Sequence, residues 1–340
     1  MAAREELPTA APADVGFSAD TLARAAASAD DAHRDLGSLL VARNGRLVLE
    51  AYFNGAERDT RVDVRSVGKS ITGTLVGIAL DEGRFAGLEQ PAASFFAADV
   101  TSGAPLAGIT LRHLLEMRSG LDADDWWESP ESAGTEAKLE AASDRTSFAL
   151  QVPKAAAPGE RWQYSSVNTL LLGRAVERAT GRDLEAYARE KLFEPLGFGP
   201  YEWRRDERGA IVPQGNLALR PRDLLKIGLL FEGRGRWGGR QLVPEAWIGE
   251  ATRSRSVLPS DPATGLGELY RGYGYHWWTG EEHTPAGPRS VYFASGNGGQ
   301  RLFVVPSVRL VMVVTSAAYG RGYAHRRAHA MLRGVLDAVR

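Results

Sequence analysis

The chain has 340 residues, of which 44% are hydrophobic and 24% charged, as in soluble globular proteins with a large core. Its formal net charge is −1, so no overall field would draw it to nucleic acid or to an anionic membrane. It contains no cysteine, which excludes disulfides, thiol catalysis and cysteine-ligated metals. We see neither a secretion signal nor a stretch of about 18 apolar residues that could span a membrane, so we expect a cytoplasmic protein.

The first predicted elements are a hairpin and a buried helix. Residues 36–55 contain two apolar runs around an Asn-Gly pair, which favours a two-residue turn. Residues 70–83 are apolar on almost every side and end in Asp-Glu-Gly, a pattern that indicates a helix buried all round. Residues 110–121 predict a short amphipathic helix that ends at a glycine. The polar residues 122–144 are predicted to form a long loop or lid.

The second half begins with helices and returns to strands. Helices are predicted over residues 167–181, 184–197, 221–233, 244–252 and the last 16 or so residues, with Val-rich strands within 290–317. Strands at both ends predict an α+β fold in which an antiparallel sheet, assembled from both termini and flanked by helices, carries a mostly helical inserted domain. We expect residues 1–65 and 235–340 to form the sheet domain and residues 66–234 the helical domain.

Two motifs overlap in RSVGKSITG, residues 65–73. Gly68-Lys69-Ser70 has the form in which a phosphate-binding loop ends, whereas Ser66 and Lys69 form a Ser-x-x-Lys. A phosphate-binding loop requires another Gly five residues before Gly68, where this chain has Asp63. An acid at that position would repel phosphate, so nucleotide binding is disfavoured.

Other hydrolase motifs are absent or weak. The Gly-x-Ser-x-Gly pattern of a Ser-His-Asp hydrolase occurs nowhere in the chain. His113 lies in the predicted amphipathic helix and is interpreted as structural. His325 and His329 are one helical turn apart, but no Glu separates them in the metalloprotease manner, so a solvated face or core packing explains the pair better.

The Ser-x-x-Lys motif can support nucleophilic catalysis. Positions three apart on a helix share a face, so the Ser66 hydroxyl and the Lys69 amine would point into the same cleft. Burial on an apolar helix is expected to lower the pKa of Lys69 towards neutrality, which would let its amine act as a base. The helix N-terminus would add backbone amides and partial positive charge for a developing oxyanion. The alternative is an N-cap Ser followed by a surface Lys.

Several blocks in sequence order resemble one superfamily. Ser66-Val67-Gly68-Lys69 with the apolar helix after it resembles the nucleophile helix of serine beta-lactamases and penicillin-binding proteins. The most similar branch is that of class C beta-lactamase-like esterases and amidases, which includes 6-aminohexanoate-dimer hydrolases. Residues 109–122, 158–198, 215–231 and 295–314 match the same branch. The resemblance covers about residues 35 to 335 and implies a beta-lactamase/transpeptidase-like fold with the active site between the two domains.

The resemblance assigns roles to individual residues. Ser66 would be the acylated nucleophile and Lys69 its base partner. Tyr164, in QYSS, stands where the family has its catalytic Tyr and would relay the serine proton to the leaving group. Ser166 departs from the pattern, because the strict motif has Asn there, and Asn168 lies two residues too far along.

The third motif of the family is also altered. Ala294-Ser295-Gly296 is the equivalent of Lys-Thr-Gly, so the cation of that motif is missing. Ser295 and Gly296 would contact substrate, and the Asn297 amide would form the oxyanion hole with the amide of Ser66. Asn216 could bind substrate or make a turn. The remaining candidates for an apolar pocket are two tryptophan pairs, for which ordinary packing is an equal alternative: Trp126, Trp127, Trp277 and Trp278.

These observations predict a serine hydrolase that cleaves small esters or amides through an acyl-enzyme on Ser66, as a carboxylesterase or an aminohexanoate-dimer-hydrolase-like amidase. The expected partner is a small-molecule ester or amide, without nucleic acid, membrane, metal or organic cofactor. The alternatives are a true beta-lactamase or DD-peptidase, which the altered second and third motifs disfavour, and a non-catalytic binding or scaffold protein. Neither the natural substrate nor the oligomeric state follows from the sequence.

Overall fold

The computed structural model describes residues 6–27, 33–99, 105–125, 132–258, 260 and 267–340. Ten α-helices lie in this part of the chain: α1 Ala19–Ala27, α2 Val67–Asp81, α3 Leu111–Leu115, α4 Glu136–Ala141, α5 Arg145–Gln151, α6 Ser166–Thr180, α7 Leu184–Ala188, α8 Pro221–Glu232, α9 Glu245–Ala251 and α10 Tyr323–Asp337. Its strands are β1 Leu36–Arg43, β2 Arg46–Tyr52, β3 Val62–Asp63, β4 Glu202–Trp203, β5 Leu217–Leu219, β6 Arg236–Trp237, β7 Arg240–Gln241, β8 Ser256–Val257, β9 Gly272–Tyr273, β10 Trp278–Thr284, β11 Gly287–Gly296, β12 Gln300–Val305 and β13 Leu310–Ser316.

The main sheet combines strands from both ends of the chain. Its eight strands run in the order β2-β1-β13-β12-β11-β10-β9-β8, and every neighbouring pair is antiparallel. β1 pairs with β13, which joins the N-terminal hairpin to the C-terminal strands. Asn44 and Gly45 turn that hairpin with φ of 52° and 73°, as a two-residue turn requires. The predicted α+β fold with a sheet built from both termini is confirmed.

Helices cover both faces of this sheet. Along β1, Leu39 and Val41 belong to one core, whereas Leu40 and Ala42 belong to the other, as the period of two along a strand requires. α1 and α10 pack together on the first face, and α8 packs on the second against β1, β12 and β13. The sheet is therefore buried on both sides.

The helix after the hairpin is the centre of the second layer. α2 is buried at every residue from Val67 to Ala79 and packs against α6. This confirms the predicted helix that is buried all round. α3 ends at Leu115, earlier than predicted, because Met117 and Gly120 adopt φ of 57° and 77° and turn the chain out of the helix.

Residues 122–144 are more structured than predicted. They were expected to form a loop, but α4 forms within them, with the Thr135 side chain accepting from the backbone N–H of Lys138. The division into domains 1–65 with 235–340 and 66–234 stays a prediction. In the described part of the chain, no helix is both long and apolar enough to cross a membrane.

Candidate active site

Ser66 stands at the start of α2 in a backbone setting that presents its side chain. It is the N-cap residue, yet its hydroxyl makes no capping hydrogen bond. Arg65 before it has φ of 51°, and Asp63 Oδ1 accepts the Arg65 backbone N–H at 2.8 Å, which supports this uncommon conformation. The hydroxyl of Ser66 is therefore available for interactions with neighbouring side chains.

Glycines let three backbone segments meet around this serine. A Cβ on Gly296 would lie 2.2 Å from the carbonyl oxygen of Val64, and one on Gly68 would lie 3.0 Å from the Cα of Gly215. The strand end at Gly296 and the loop at Gly215 therefore approach the nucleophile helix more closely than any larger residue permits. Gly68 therefore allows close packing against the backbone at Gly215 and is not explained as part of a phosphate-binding loop.

Lys69 and Tyr164 converge on Ser66. Lys69 Nζ donates to Ser66 Oγ at 3.0 Å and to the carbonyl oxygen of Gln214 at 3.4 Å, and the lysine is 1% exposed. The Tyr164 hydroxyl hydrogen-bonds with both Ser66 and Lys69, and Lys69 Nζ lies 5.0 Å from the Tyr164 ring centroid. The geometry of an N-cap Ser with a surface Lys does not occur here, because Lys69 is buried.

The expected direction of the Lys69 pKa shift is wrong. Burial does lower it, but the charge that Tyr164 carries once it is ionised, the negative charges of Glu136 and Asp125, and a hydrogen bond to Tyr164 outweigh burial, so the pKa of Lys69 is raised above its ordinary value. Burial also raises the pKa of the Tyr164 phenol, although the Lys69 charge opposes this. At neutral pH the resting pair therefore holds both protons, with Lys69 as an ammonium.

Two carboxylates beside this pair were missed in the sequence. Asp125 and Glu136 line the same cleft as Ser66. Ser166, which replaces the Asn of the second motif, donates its backbone N–H to Asp125 Oδ2 and its hydroxyl to Glu136 Oε1 at 3.4 Å. Burial raises the pKa of Asp125 to about 7, partly opposed by the Lys69 charge. Asn168, by contrast, is buried and donates to the Met117 sulfur at 3.5 Å.

The third motif forms another part of the cleft lining. Ser295 lies near the end of β11, and the Asn297 side chain accepts the backbone N–H of Gly320 at 2.7 Å, which ties down the loop after the strand. Both residues line a cleft of about 370 Å³ together with Ser66 and Tyr164. The predicted third-motif residues therefore lie beside the nucleophile.

Of the other predicted site residues, Trp278 lines the cleft, whereas Asn216 and Trp277 are not among the residues that line it. Asn216 adopts φ of 54° and donates to Glu140 Oε1 at 3.1 Å, so its side chain is already engaged. Trp278 lines the cleft, its ring 5.2 Å from that of Tyr164, whereas Trp277 packs against Phe231 in the core. The remaining pair, Trp126 and Trp127, lies outside the described residues.

The cleft is lined by charges of both signs. Asp125 and Glu136 are acidic, and the basic residues are Arg321, just before α10, and Arg326, in the first turn of α10. The predicted structural role of His113 agrees with its position, since its Nδ1 accepts the Thr110 backbone N–H in the capping box of α3. Among the described residues, no cluster of three or more His, Asp or Glu side chains is arranged to hold a metal ion.

Comparisons with known proteins identify the family. The Beta-lactamase family profile matches residues 22–336. The 6-aminohexanoate-dimer hydrolase of Paenarthrobacter ureafaciens is 27% identical over 305 residues, which are 82% of this chain and 72% of the relative. EstCE1, a hydrolase with promiscuous acyltransferase activity, superposes with a TM-score of 0.75 at 17% identity, over 93% of this chain and 98% of its own.

A third similarity is to a D-stereospecific amidohydrolase from a Streptomyces species. Its structure superposes with a TM-score of 0.66 at 19% identity and covers 92% of this chain and 98% of its own. At such identities the two structural likenesses show the shared fold, while the family profile covers nearly the whole sequence. The chain therefore belongs to the beta-lactamase family, a family of hydrolases.

Proposed function

We propose that this protein is a serine hydrolase that cleaves small esters or amides through an acyl-enzyme on Ser66. The observation that carries the proposal is the convergence of Ser66, Lys69 and Tyr164 in one cleft, with Lys69 Nζ 3.0 Å from Ser66 Oγ. A nucleophile within hydrogen-bonding distance of a basic group, which a third group orients, is the arrangement that activates a serine hydroxyl.

Acylation begins when the Lys69–Tyr164 pair has lost one of its two protons. The remaining basic site, an amine or a phenolate, takes the proton of Ser66 as its oxygen attacks the substrate carbonyl. The same proton then passes to the leaving alcohol or amine, which departs as the acyl-enzyme forms. Because the pKa values of both groups are raised, this step becomes faster as the pH rises above neutrality.

The negative oxygen of the tetrahedral intermediate needs hydrogen-bond donors. The backbone amides of Ser66 and Asn297 would supply them, since one opens α2 and the other follows β11 across the cleft. Water then attacks the acyl-enzyme by the same proton route in reverse. Ser295 and Gly296 would contact the substrate along the strand.

The charges of both signs that line the cleft support linear substrates with polar ends. Asp125 and Glu136 suit a cationic group and Arg321 and Arg326 an anionic one. Aminohexanoate oligomers have such ends, and one relative carries that activity in its name. Esters have better leaving groups than amides, so we expect esterase activity to be the easier to detect.

The rival functions fit less well. A beta-lactamase or DD-peptidase would use the Asn and the Lys that are replaced here by Ser166 and Ala294. A non-catalytic member of the family would not be expected to keep Ser66, Lys69 and Tyr164 in hydrogen-bonding contact. A small-molecule substrate, a cytoplasmic location and independence from nucleic acid and membrane belong to the same proposal.

The test compares three substrates and two serine variants. Wild-type protein should hydrolyse p-nitrophenyl butyrate and, more slowly, the linear 6-aminohexanoate dimer, with little turnover of the cephalosporin nitrocefin. Ser66→Ala should abolish hydrolysis. The matched control Ser70→Ala, one turn along, should retain it, because the Ser70 hydroxyl donates to the His276 carbonyl rather than to a catalytic group. Nitrocefin turnover without ester or amide hydrolysis, or full activity of Ser66→Ala, would overturn the proposal.

A further inference from the structure

His276 is a buried histidine in an uncommon backbone conformation. It lies in the turn between β9 and β10 and is 1% exposed. Its φ is 58°, a left-handed value that is uncommon for residues with a side chain and that glycine or asparagine adopts more readily. A buried histidine kept in this conformation points to a role for its side chain.

The ring of His276 binds the backbone of Lys69. Its Nδ1 lies 3.0 Å from the Lys69 carbonyl oxygen, and because a carbonyl only accepts, Nδ1 carries the hydrogen and donates it. In an α-helix this oxygen also accepts the N–H of the residue four positions along, which here is Gly73. A Cβ on Gly73 would lie 3.2 Å from the His276 Cβ, so the glycine makes room for the ring. His276 therefore adds a second hydrogen bond to the first turn of α2, where Lys69 lies.

The ring donates this hydrogen bond in its neutral form. Burial, with a smaller contribution from the positive charge of Lys69, lowers the pKa of His276 to about 4, although the hydrogen bond to the Lys69 carbonyl opposes this. The imidazole is therefore uncharged at neutral pH and adds no second cation beside the Lys69 ammonium. It acts on Lys69 through geometry rather than through charge.

The residues on both sides of His276 pack against Tyr164. The ring of Tyr273, three residues earlier, lies 6.2 Å from the Tyr164 ring, and the ring of Trp278, two residues later, lies 5.2 Å from it. Residues 273–278, which we call the clamp segment, therefore contact both members of the proton-transferring pair. The imidazole binds the backbone of the lysine, and the aromatic rings pack on the tyrosine.

The relative position of Lys69 and Tyr164 matters for the proposed chemistry. Lys69 Nζ lies 3.0 Å from Ser66 Oγ, and proton transfer requires distances of this kind. A displacement of about 1 Å between reacting groups can slow a reaction by about a hundredfold. A single segment that is bound to the lysine and packed on the tyrosine limits such displacements.

We propose that His276 is a positioning residue that donates its Nδ1 hydrogen to the Lys69 carbonyl and thereby holds Lys69 in place relative to Tyr164 and Ser66. The histidine acts only through Lys69, since its ring is buried behind the nucleophile helix and is not among the groups that line the cleft. This inference rests on the proposed hydrolysis at Ser66 and goes beyond it by naming a residue that maintains the geometry of the catalytic pair.

The test uses two variants that both suit the backbone at position 276. His276→Gly adopts the φ of 58° and removes the donor, whereas His276→Asn tolerates the same φ and keeps a short side chain that ends in an N–H donor. With p-nitrophenyl butyrate, His276→Gly should lower kcat about tenfold with little change in KM, because the same pair moves the proton in acylation and in deacylation. His276→Asn should stay within about threefold of the wild-type kcat. The rate of fluorophosphonate labelling at Ser66 should follow the same order.

Two further variants separate positioning from folding. Ser70→Ala removes another hydrogen bond between α2 and the clamp segment, the one from the Ser70 hydroxyl to the His276 carbonyl at 2.5 Å, and should keep the wild-type kcat. Gly73→Ala adds a Cβ 3.2 Å from the His276 Cβ, which displaces the ring without weakening the helix, and should lower kcat about threefold. It decides the question if His276→Gly does not fold, as judged by unfolding in urea.

Three results would overturn this inference alone. They are wild-type kcat in folded His276→Gly (or in Gly73→Ala, where His276→Gly does not fold), equal losses of kcat in folded His276→Gly and His276→Asn, and a loss in Ser70→Ala as large as that in His276→Gly. The last result would show that any contact of the clamp segment has the same effect. Absence of all ester hydrolysis in wild type would instead overturn the proposed function.

Discussion

The charge of Asp125 is predicted to set the pH at which the enzyme becomes active. Asp125 raises the pKa of both Lys69 and Tyr164, so it delays the loss of the proton that frees a base. Asp125→Asn removes the charge but keeps an oxygen that can accept the Ser166 N–H. A carboxylate about 4–6 Å away typically shifts a pKa by about 1–3 units. Because Asp125 is half-buried and Glu136 remains, we take the lower end of this range, about one unit.

The sign follows from which form is active. The base is the deprotonated pair, so kcat/KM rises with pH, and lowering the pKa of the pair moves the rising limb to lower pH. Asp125→Asn should therefore show a limb shifted down by about one pH unit, and about tenfold higher kcat/KM on the acidic side of the limb above about pH 7, whereas the two proteins should converge below about pH 7, where Asp125 is itself protonated. The assay is kcat/KM for p-nitrophenyl butyrate, corrected for spontaneous hydrolysis, between pH 5 and 10.

Asp81, a carboxylate at the far end of the nucleophile helix, provides the control for Asp125→Asn. Asp81→Asn removes the same charge at the exposed far end of α2, about 20 Å from Ser66 at 1.5 Å per residue, and should leave the limb in place. If the rising limb of the kcat/KM profile of Asp125→Asn lies at the wild-type pH, or at higher pH, the Asp125 charge does not raise the pKa of the Lys69–Tyr164 pair and the reasoning is refuted.

Two further predictions concern stability and the approach of β11 to the nucleophile. Burial lowers the pKa of His276 to about 4. Between about pH 6.5 and pH 4 the unfolded chain therefore binds a proton at this histidine that the folded protein does not bind. The free energy of unfolding should fall as the pH drops from about 6.5 to about 4. His276→Asn should weaken this pH dependence of the free energy of unfolding, measured in urea, by up to about 3 kcal/mol, and equal slopes would contradict it. Gly296→Ala should reduce kcat/KM by at least about tenfold, because the added Cβ would lie 2.2 Å from the Val64 carbonyl oxygen. Gly249→Ala is the control and should stay active, because its Cβ would have no neighbouring atom within 4 Å. Wild-type activity of Gly296→Ala would contradict the close approach of β11 to the nucleophile.

Elements with strong local patterns were predictable. The Asn44-Gly45 turn and the apolar run of α2 each specify their structure within a few residues, and both occur as expected. Ser66 and Lys69 share one helical turn, so their contact also follows from spacing. Tyr164 is 98 residues from Ser66 and became a candidate only through resemblance to a family.

What local pattern could not reveal was electrostatics set by distant residues. Asp125 lies in DADDWWE, which has the composition of a solvated loop, and nothing local shows that it is turned towards Lys69. The charges of Tyr164, Glu136 and Asp125 around Lys69 come from distant parts of the sequence, which is why the Lys69 pKa was expected to shift the wrong way. Arg301 was overlooked for a related reason, since a charged residue in a Val-rich strand is ordinarily exposed, whereas here it is fully buried on β12.

The central claim is that Ser66 is the nucleophile, and covalent labelling tests it most directly. Folded protein would be treated with a fluorophosphonate probe, digested with protease, and the modified residue located by mass spectrometry. We predict one adduct on Ser66, formed more slowly at acidic pH and greatly reduced in Lys69→Met, because an activated serine requires its base. Folded protein that remains unlabelled at Ser66, or that is labelled only at another residue, would contradict the account.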